Sequence, residues 1–339
     1  MGSLHRLIAA MPKAELHMHL EGSIEPDLMF KLAAHNGIKL RYTSESALQA
    51  AYNFTDLRSF LDVYYAGLTV LLTERDFYDM TAAYLARVHE DHVVHTEVFI
   101  SPQAHTRRGV PFGAMLEGID AALKDGEQRF GMTTRLIVGL QRQWSENDAF
   151  SMIEEAQPYC DRIAGLGLGG PEVGNPPQKF TRVFEHARSL GWKTVAHAGE
   201  EGPAAYVADT IDFLKVDRVD HGVRCEEDTA LVARLAERGI PLTVCPISNV
   251  KLRVFRDLAS HNLKRLLEAG VRVTINSDDP SYFLGYMNEN YLATVEALSL
   301  TRAQVHKLAR NGFDAAFLDT GTRERYLAMV DRHFGADRS

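Results

Sequence analysis

Five apolar, strand-like runs in this chain each stop at a residue able to bind a metal or move a proton. They are Glu15-Leu16-His17-Met18-His19, Thr194-Val195-Ala196-His197-Ala198-Gly199-Glu200, Val219-Asp220-His221-Gly222, Leu242-Thr243-Val244-Cys245-Pro246 with Ser248-Asn249 behind it, and Val273-Thr274-Ile275-Asn276-Ser277-Asp278-Asp279-Pro280. Polar residues spread from His17 to Asp278, always where a strand ends, meet in one place if the strands are parallel and close into a barrel. The loops at the C-terminal ends of barrel strands share one mouth, where such folds build their active sites. The pattern constrains the chain to an α/β fold and points to a metal-dependent enzyme.

Period-2 alternation and short continuous apolar runs predict strands near 14–20, 93–100, 134–140, 163–168, 193–198, 217–221, 241–245 and 271–277. Helical patterns fall between them, at 26–36, 56–72, 75–90, 113–125, 146–158, 178–190, 226–238 and 262–269, with another at 301–311. Strands alternating with helices imply a parallel sheet with right-handed crossovers, and eight such repeats close a TIM (β/α)8 barrel. At 339 residues the chain exceeds the roughly 250 that such a barrel commonly needs. One domain over 1–339 is expected, with 38–90 as a helical insertion over the barrel mouth. Within it, Phe54, Phe60, Leu61 and Tyr64 have the spacing of a pocket wall or of ordinary helix packing, and packing is the commoner use of such a stripe. Past 315 a terminal helix and a short charged, mobile tail are expected.

A composition of 45% hydrophobic and 24% charged residues suits a large buried core, and a formal charge of −8 gives no basic field for nucleic acid or an anionic membrane. A small neutral substrate fits better. Cys160, Cys225 and Cys245 form no Cys-x-x-Cys pair, so neither a disulfide framework nor a thiolate zinc site is indicated. Residues 1–14 lack a signal-peptide core, and no apolar run approaches the roughly 18 residues of a membrane span. A cytoplasmic location is expected; the sequence carries no signal for oligomeric state.

His17 and His19 lie two apart on a predicted strand, so both imidazoles leave one face and can converge on one ion. With His197 and Asp278 they make a nitrogen and oxygen set that suits Zn2+, with Fe2+, Co2+ or Mn2+ as substitutes. Such a set keeps a position open for water, whose pKa the ion brings near neutral. A second ion would need a bridging lysine or glutamate on the fourth strand, and Ile163-Ala164-Gly165-Leu166-Gly167-Leu168 has none, so one ion per chain is expected. His89, His92 and His95 are spaced by three, but a strand from 93 puts His92 and His95 on opposite sides, and no carboxylate partner stands out in the pattern.

Glu200 follows His197 by three residues in His-Ala-Gly-Glu-Glu-Gly, where small residues allow a tight turn that brings a carboxyl beside the ion. Desolvation there would raise its proton affinity, as a general acid requires; a helix-terminal acid is the plainer alternative. Its neighbour Glu201 is expected to be solvated and without a role. His221 is either a fourth nitrogen ligand or, with Asp278 completing the set, the group that orients or deprotonates the water. Asp278 and Asp279 diverge, one toward the ion and one toward substrate, unless Asp279 only caps a helix.

Together, His17-Met18-His19-Leu20-Glu21-Gly22, the 194–200 and 220–222 segments, Cys245-Pro246-Ile247-Ser248-Asn249 and Asn276-Ser277-Asp278-Asp279-Pro280 resemble the adenosine and adenine deaminases of the amidohydrolase superfamily. The match runs in order over nearly the whole chain. The resemblance implies zinc on His17, His19, His197 and Asp278, proton donation by Glu200 to a ring nitrogen, His221 beside the attacking water, and Asp279 on purine N7. The implied reaction adds hydroxide to purine C6 and expels ammonia. Leu20-Glu21-Gly22, 53–67 and Glu172-Val173-Gly174-Asn175-Pro176-Pro177 look most like the adenine deaminase branch, which implies adenine as substrate and hypoxanthine as product. Gly169-Gly170-Pro171 departs from the Asp-Ser-Ser usual there, and Asn175 replaces a histidine; Gly170 matches a glycine that contacts the purine in adenosine deaminases. Loss of those polar side chains either opens the pocket wall, which leaves N6-substituted adenines and adenosine as alternatives, or marks only a tight turn. An amide or ester hydrolase on the same barrel is the remoter reading, and the Glu200 and Asp279 pair argues against it.

Overall fold

A computed structural model describes residues 3–336 of the chain. The charged tail expected after the last helix falls at 337–339, outside the described residues, and the terminal helix before it is Thr320–Ala336. The strands are β1 (Lys13–His19), β2 (Val93–Ile100), β3 (Thr133–Gln141), β4 (Gly165–Gly169), β5 (Lys193–Ala198), β6 (Arg218–His221), β7 (Leu242–Val244) and β8 (Val273–Ile275). They pair in parallel in chain order from β1 to β8. Helices fill the crossovers, as in a TIM barrel. The strand most shortened against expectation is β8, because the chain past Ile275 turns across the barrel mouth toward β1 instead of extending the ladder.

That turn closes the ring. His19 N donates to Asp278 O (2.9 Å) and Asp278 N donates to His17 O (3.1 Å), forming a parallel bridge between the last strand end and the first. The Asn276 side chain assists, accepting from Leu16 N at 2.8 Å. A register shift in the β1–β2 pairing between Glu15 and Met18 lets Glu15 meet Tyr84 of the helix Glu74–Glu90, while His17 and His19 face the axis beside Phe99.

The barrel interior is apolar at mid-height and ionic at its floor. Phe99, Ile137 and Val195 form a small cluster of their own, against which Phe317 packs. Below it the fully buried Arg218 donates to Glu97 Oε2 (2.6 Å) and to Ala315 O (3.0 Å), and its guanidinium lies 3.9 Å from the Phe317 ring centre. Glu97 also accepts from Phe317 N and meets His95 at 3.1 Å. Both Glu97 oxygens and both terminal nitrogens of Arg218 have partners, the support a buried ion pair requires, while Arg218 Nε has none among the described residues.

Within the 38–90 stretch, Asp56 and Ser59 cap the helix Leu57–Gly67 reciprocally. Its aromatic face packs on the loop after β8: Phe60 lies 4.8 Å from Phe283 and 5.7 Å from Tyr282, and Phe54 lies 5.3 Å from Phe60 between ring centres. The helix Glu74–Glu90 leads into β2, its start fixed by buried Asp76, which accepts from Leu72 N, Thr73 N and Asn36 Nδ2. Among the described residues no helix is long and apolar enough to cross a membrane.

Removing one partner of a buried pair strands the other, at about 3–5 kcal/mol. Glu97→Ala is therefore expected to lower the urea unfolding midpoint by that equivalent, and adding Arg218→Met to recover much of it. An unchanged midpoint in the single variant would show that the floor pair contributes nothing.

Candidate active site

The end of β1 sends His17 and His19 inward, and β5 sends His197 to meet them. His197 Nε2 lies 3.1 Å from His17 Nε2 and 3.1 Å from His19 Nε2; Asp278 Oδ1 lies 3.4 Å and 3.5 Å from those two imidazoles. One ring nitrogen has a single hydrogen or a single lone pair to offer, yet two imidazoles crowd this one. Atoms about 2.1 Å from a common ion at tetrahedral angles lie about 3.4 Å apart, close to the observed spacing. The buried His/Asp cluster fits a divalent metal. His17, His197, His221 and Asp278 also lie within reach of one ion, as do His19, Asp278 and Asp279, the two groups sharing Asp278.

The outward atoms of His17, His197 and Asp278 face groups behind the cluster, which aims the inward ones. His17 Nδ1 is 3.1 Å from the Thr243 carbonyl, which can only accept, so Nδ1 carries the hydrogen and Nε2 keeps its lone pair for the centre. His197 Nδ1 faces Asp220 Oδ2 at 3.3 Å, and Asp220 Oδ1 accepts from Thr243 Oγ1 at 2.7 Å. Asp278 Oδ2 accepts from Ser248 Oγ at 2.6 Å. Carboxylate and carbonyl partners of this kind fix ring orientation and raise ligand basicity.

Two of the residues sit in strained backbone. His221 has φ 61° and Asp278 has φ 67°, the left-handed region, which costs a side-chain-bearing residue about 1–3 kcal/mol. The twist at His221 also breaks the strand alternation, so that Asp220 and His221, adjacent in β6, both reach the site.

His221 is held by a directed relay. Leu263 N–H donates to His261 Nδ1 (3.0 Å), so His261 carries its hydrogen on Nε2 and donates to Asn249 Oδ1 (3.2 Å). The Asn249 amide then donates to His221 Nδ1 (3.4 Å), which places the His221 hydrogen on Nε2, 3.6 Å from Glu200 Oε2. Burial, followed by the neighbouring His17, holds the His221 pKa well below its ordinary value.

Glu200 and Asp279 line the same pocket as His19, His197, His221 and Asp278. Each is buried with one carboxyl oxygen lacking a protein partner, Oε1 of Glu200 and Oδ1 of Asp279. Burial first and the Asp278 charge second push both carboxyls well above the usual range. Asp279 lies directly on the Gly22 backbone, where a Cβ would stand 2.0 Å from its Oδ1, so position 22 admits no side chain.

Other expected residues fall into place or outside it. Phe60, Leu61 and Tyr64 do line the pocket, with Leu57 and Tyr65, so the aromatic stripe serves as wall as well as packing; Phe54 stands behind Phe60. Gly169 and Gly170 line the opposite wall, whereas Asn175 turns back to donate to Pro171 O at 3.1 Å. Glu201 is not an idle solvated neighbour: its Oε1 accepts from Glu172 N (2.9 Å) and Val173 N (3.3 Å). His95 has a carboxylate partner after all, Glu97, but the 89/92/95 trio does not converge, since His89 stacks on Phe130. Asp220, Thr243, Ser248 and the Asn249–His261 relay were given no role from sequence. Their signal was adjacency to strand-end site residues.

The adenosine deaminase family model matches residues 12–333. The chain belongs to the adenosine deaminase family. It is 58% identical over 327 residues to an adenine deaminase of Paraburkholderia xenovorans, covering 95% of this chain and 93% of that one. Among solved structures it resembles an adenine deaminase from Arthrobacter aurescens, with TM-score 0.94, 45% identity and coverage of 95% and 99%. A second, an amidohydrolase from Burkholderia ambifaria with bound zinc, gives TM-score 0.92 at 28% identity, covering 99% of this chain and 94% of that one. The barrel is thus that of the amidohydrolases.

Asp220 orients His197 without reaching the centre itself. Asp220→Asn is expected to weaken metal affinity about 10–100-fold in a chelator competition; unchanged affinity would remove Asp220 from the support of the site.

Proposed function

We propose that the protein catalyses hydrolytic deamination of adenine to hypoxanthine and ammonia. The observation that carries this reading is the pair of buried carboxyls, Glu200 and Asp279, each offering an unpartnered oxygen to one pocket beside a buried His/Asp cluster. A purine presents ring nitrogens at two edges, and two protonatable carboxyls suit them. The relatives named adenine deaminase support the choice of base.

In this reading His17, His19, His197 and Asp278 hold one Zn2+ per chain, with Fe2+, Co2+ or Mn2+ as substitutes. A divalent ion so held supplies hydroxide at neutral pH by lowering the pKa of water. His221 stays out of the ligand set because its Nε2 carries the ring hydrogen, and from there it orients the nucleophile by donating a hydrogen bond rather than accepting a proton. Glu200, whose carboxyl burial and the Asp278 charge hold well above the usual range, gives its proton to a ring nitrogen, which makes C6 electrophilic. Asp279 hydrogen-bonds N7 and fixes the ring plane. The helix Leu57–Gly67 excludes water above the base with Phe60, Leu61 and Tyr64. We treat the chain as one catalytic domain, cytoplasmic, with 38–90 as its cover. N6-substituted adenines form the second reading: a Cβ at Gly169 would lie 3.8 Å from the His197 ring, so its absence leaves space on the pocket wall beside that ring.

Ammonia release by the purified protein should be fastest with adenine when adenine, N6-methyladenine, adenosine and AMP are compared. No ammonia from any of the four would refute deamination. Glu200→Gln is expected to keep one ion per chain while losing about 100-fold or more in kcat; near-normal turnover would show that another group supplies the proton. His17→Ala should lower the metal content, and full occupancy in that variant would exclude it as a ligand.

A further inference from the structure

We infer that Glu172 is a positioning residue for Glu200, acting through a two-way staple between the loops that leave β4 and β5; this deepens the proposed function and rests on the proton-donor role given to Glu200 there. Glu172 is fully buried, and its two carboxylate oxygens take one backbone hydrogen each: Oε2 from Gly199 N at 2.9 Å and Oε1 from Glu200 N at 2.9 Å. The carboxylate therefore holds the very peptide group that carries Glu200. In return, Glu201 Oε1 accepts from the backbone of Glu172 and Val173. Each loop grips the other's amides.

A third loop backs the staple. Arg142, just past β3 and fully buried, donates from one guanidinium nitrogen to His197 O at 2.5 Å and holds another 3.9 Å from Glu172 Oε2. It compensates the buried carboxylate and ties it to the strand end bearing His197. Gly202 completes the fit, since a Cβ there would lie 2.2 Å from Glu172 Oε2. Arg224 secures the far side, its N donating to Gly199 O (2.9 Å) and its side chain to Glu201 O (2.6 Å).

The consequence is directional. The Glu200 side chain has one oxygen without a protein partner, so its aim depends on the backbone from which it projects. Charge-assisted bonds to consecutive amides fix that backbone more firmly than neutral ones. A reacting group displaced by about 1 Å can lose about 100-fold in rate. Glu172 touches no reacting atom; it acts through the turn.

Glu172→Gln keeps the volume but leaves only one acceptor for two amide hydrogens. The expected result is a fall in kcat for adenine of about tenfold or more, with KM within about twofold and metal content near that of the parent, while the thermal midpoint falls because buried Arg142 loses its counter-charge. A double-mutant cycle separates aiming from scaffolding: in a Glu200→Gln background, Glu172→Gln should lower the residual kcat by less than about twofold, because no donor remains to be aimed. Equal losses in both backgrounds, or loss of the metal, would overturn the inference. Should Glu172→Gln not fold, Glu201→Ala removes the acceptor of both amides on the staple's more exposed side. A kcat loss confined to the parent background then supports the inference, and an unchanged kcat overturns it. Near-normal turnover in Glu200→Gln alone would instead contradict the proton-donor role proposed for Glu200, whatever Glu172 does.

Discussion

The two backbone hydrogen bonds between Asp278 and the His17 and His19 peptides close the barrel and assemble the site in one stroke. Without them β8 would end short of β1, and the ring would stand open where the imidazoles of β1 project. With them, the chain after Ile275 crosses the mouth so that the Asp278 carboxyl faces the His17 and His19 rings from the neighbouring strand end. The left-handed backbone at Asp278 is the local cost of that crossing. Closure in register is what overcomes it.

Closure also sets the electrostatic problem that the rest of the molecule answers. Several buried imidazoles with lone pairs turned inward disfavour the folded state unless a cation sits among them, so metal binding and folding stability are linked in such a site. The outer partners divide the task. Thr243 serves both His17 and Asp220, Asp220 faces His197, and Ser248 takes the spare oxygen of Asp278. At the opposite end of the barrel a second buried charge set, Arg218 with Glu97, is supported by the Ala315 carbonyl and by Phe317. The apolar layer between the two ends keeps them apart.

The barrel was legible because five strands end an apolar run on a polar stop, and because eight strand-like runs alternate with helical stretches. His17 and His19 were legible as a pair through strand periodicity alone. Asp220 was not, since alternation places it opposite His221, and only the positive φ of His221 brings both to the mouth. The helix Leu57–Gly67 shows a different limit. Phe60 and Tyr64 pack on the loop after β8 and line the pocket at once, so one apolar stripe does two things that spacing cannot separate. Glu201 was misread because a charged residue beside an active-site glutamate looks solvated, whereas its partners are backbone amides of a loop distant in sequence. Hydrogen bonds between residues remote in sequence leave no pattern in it, and they account for most of what was missed.

The central claim is that the convergence of histidines and Asp278 exists to hold one divalent ion. Diffraction from crystals of the purified protein, collected on both sides of the zinc absorption edge, tests it most directly. The account predicts a single anomalous peak per chain, about 2.1 Å from Nε2 of His17, His19 and His197 and from Asp278. An ordered site with no peak at any metal edge, its imidazoles paired to one another or to water, would contradict it.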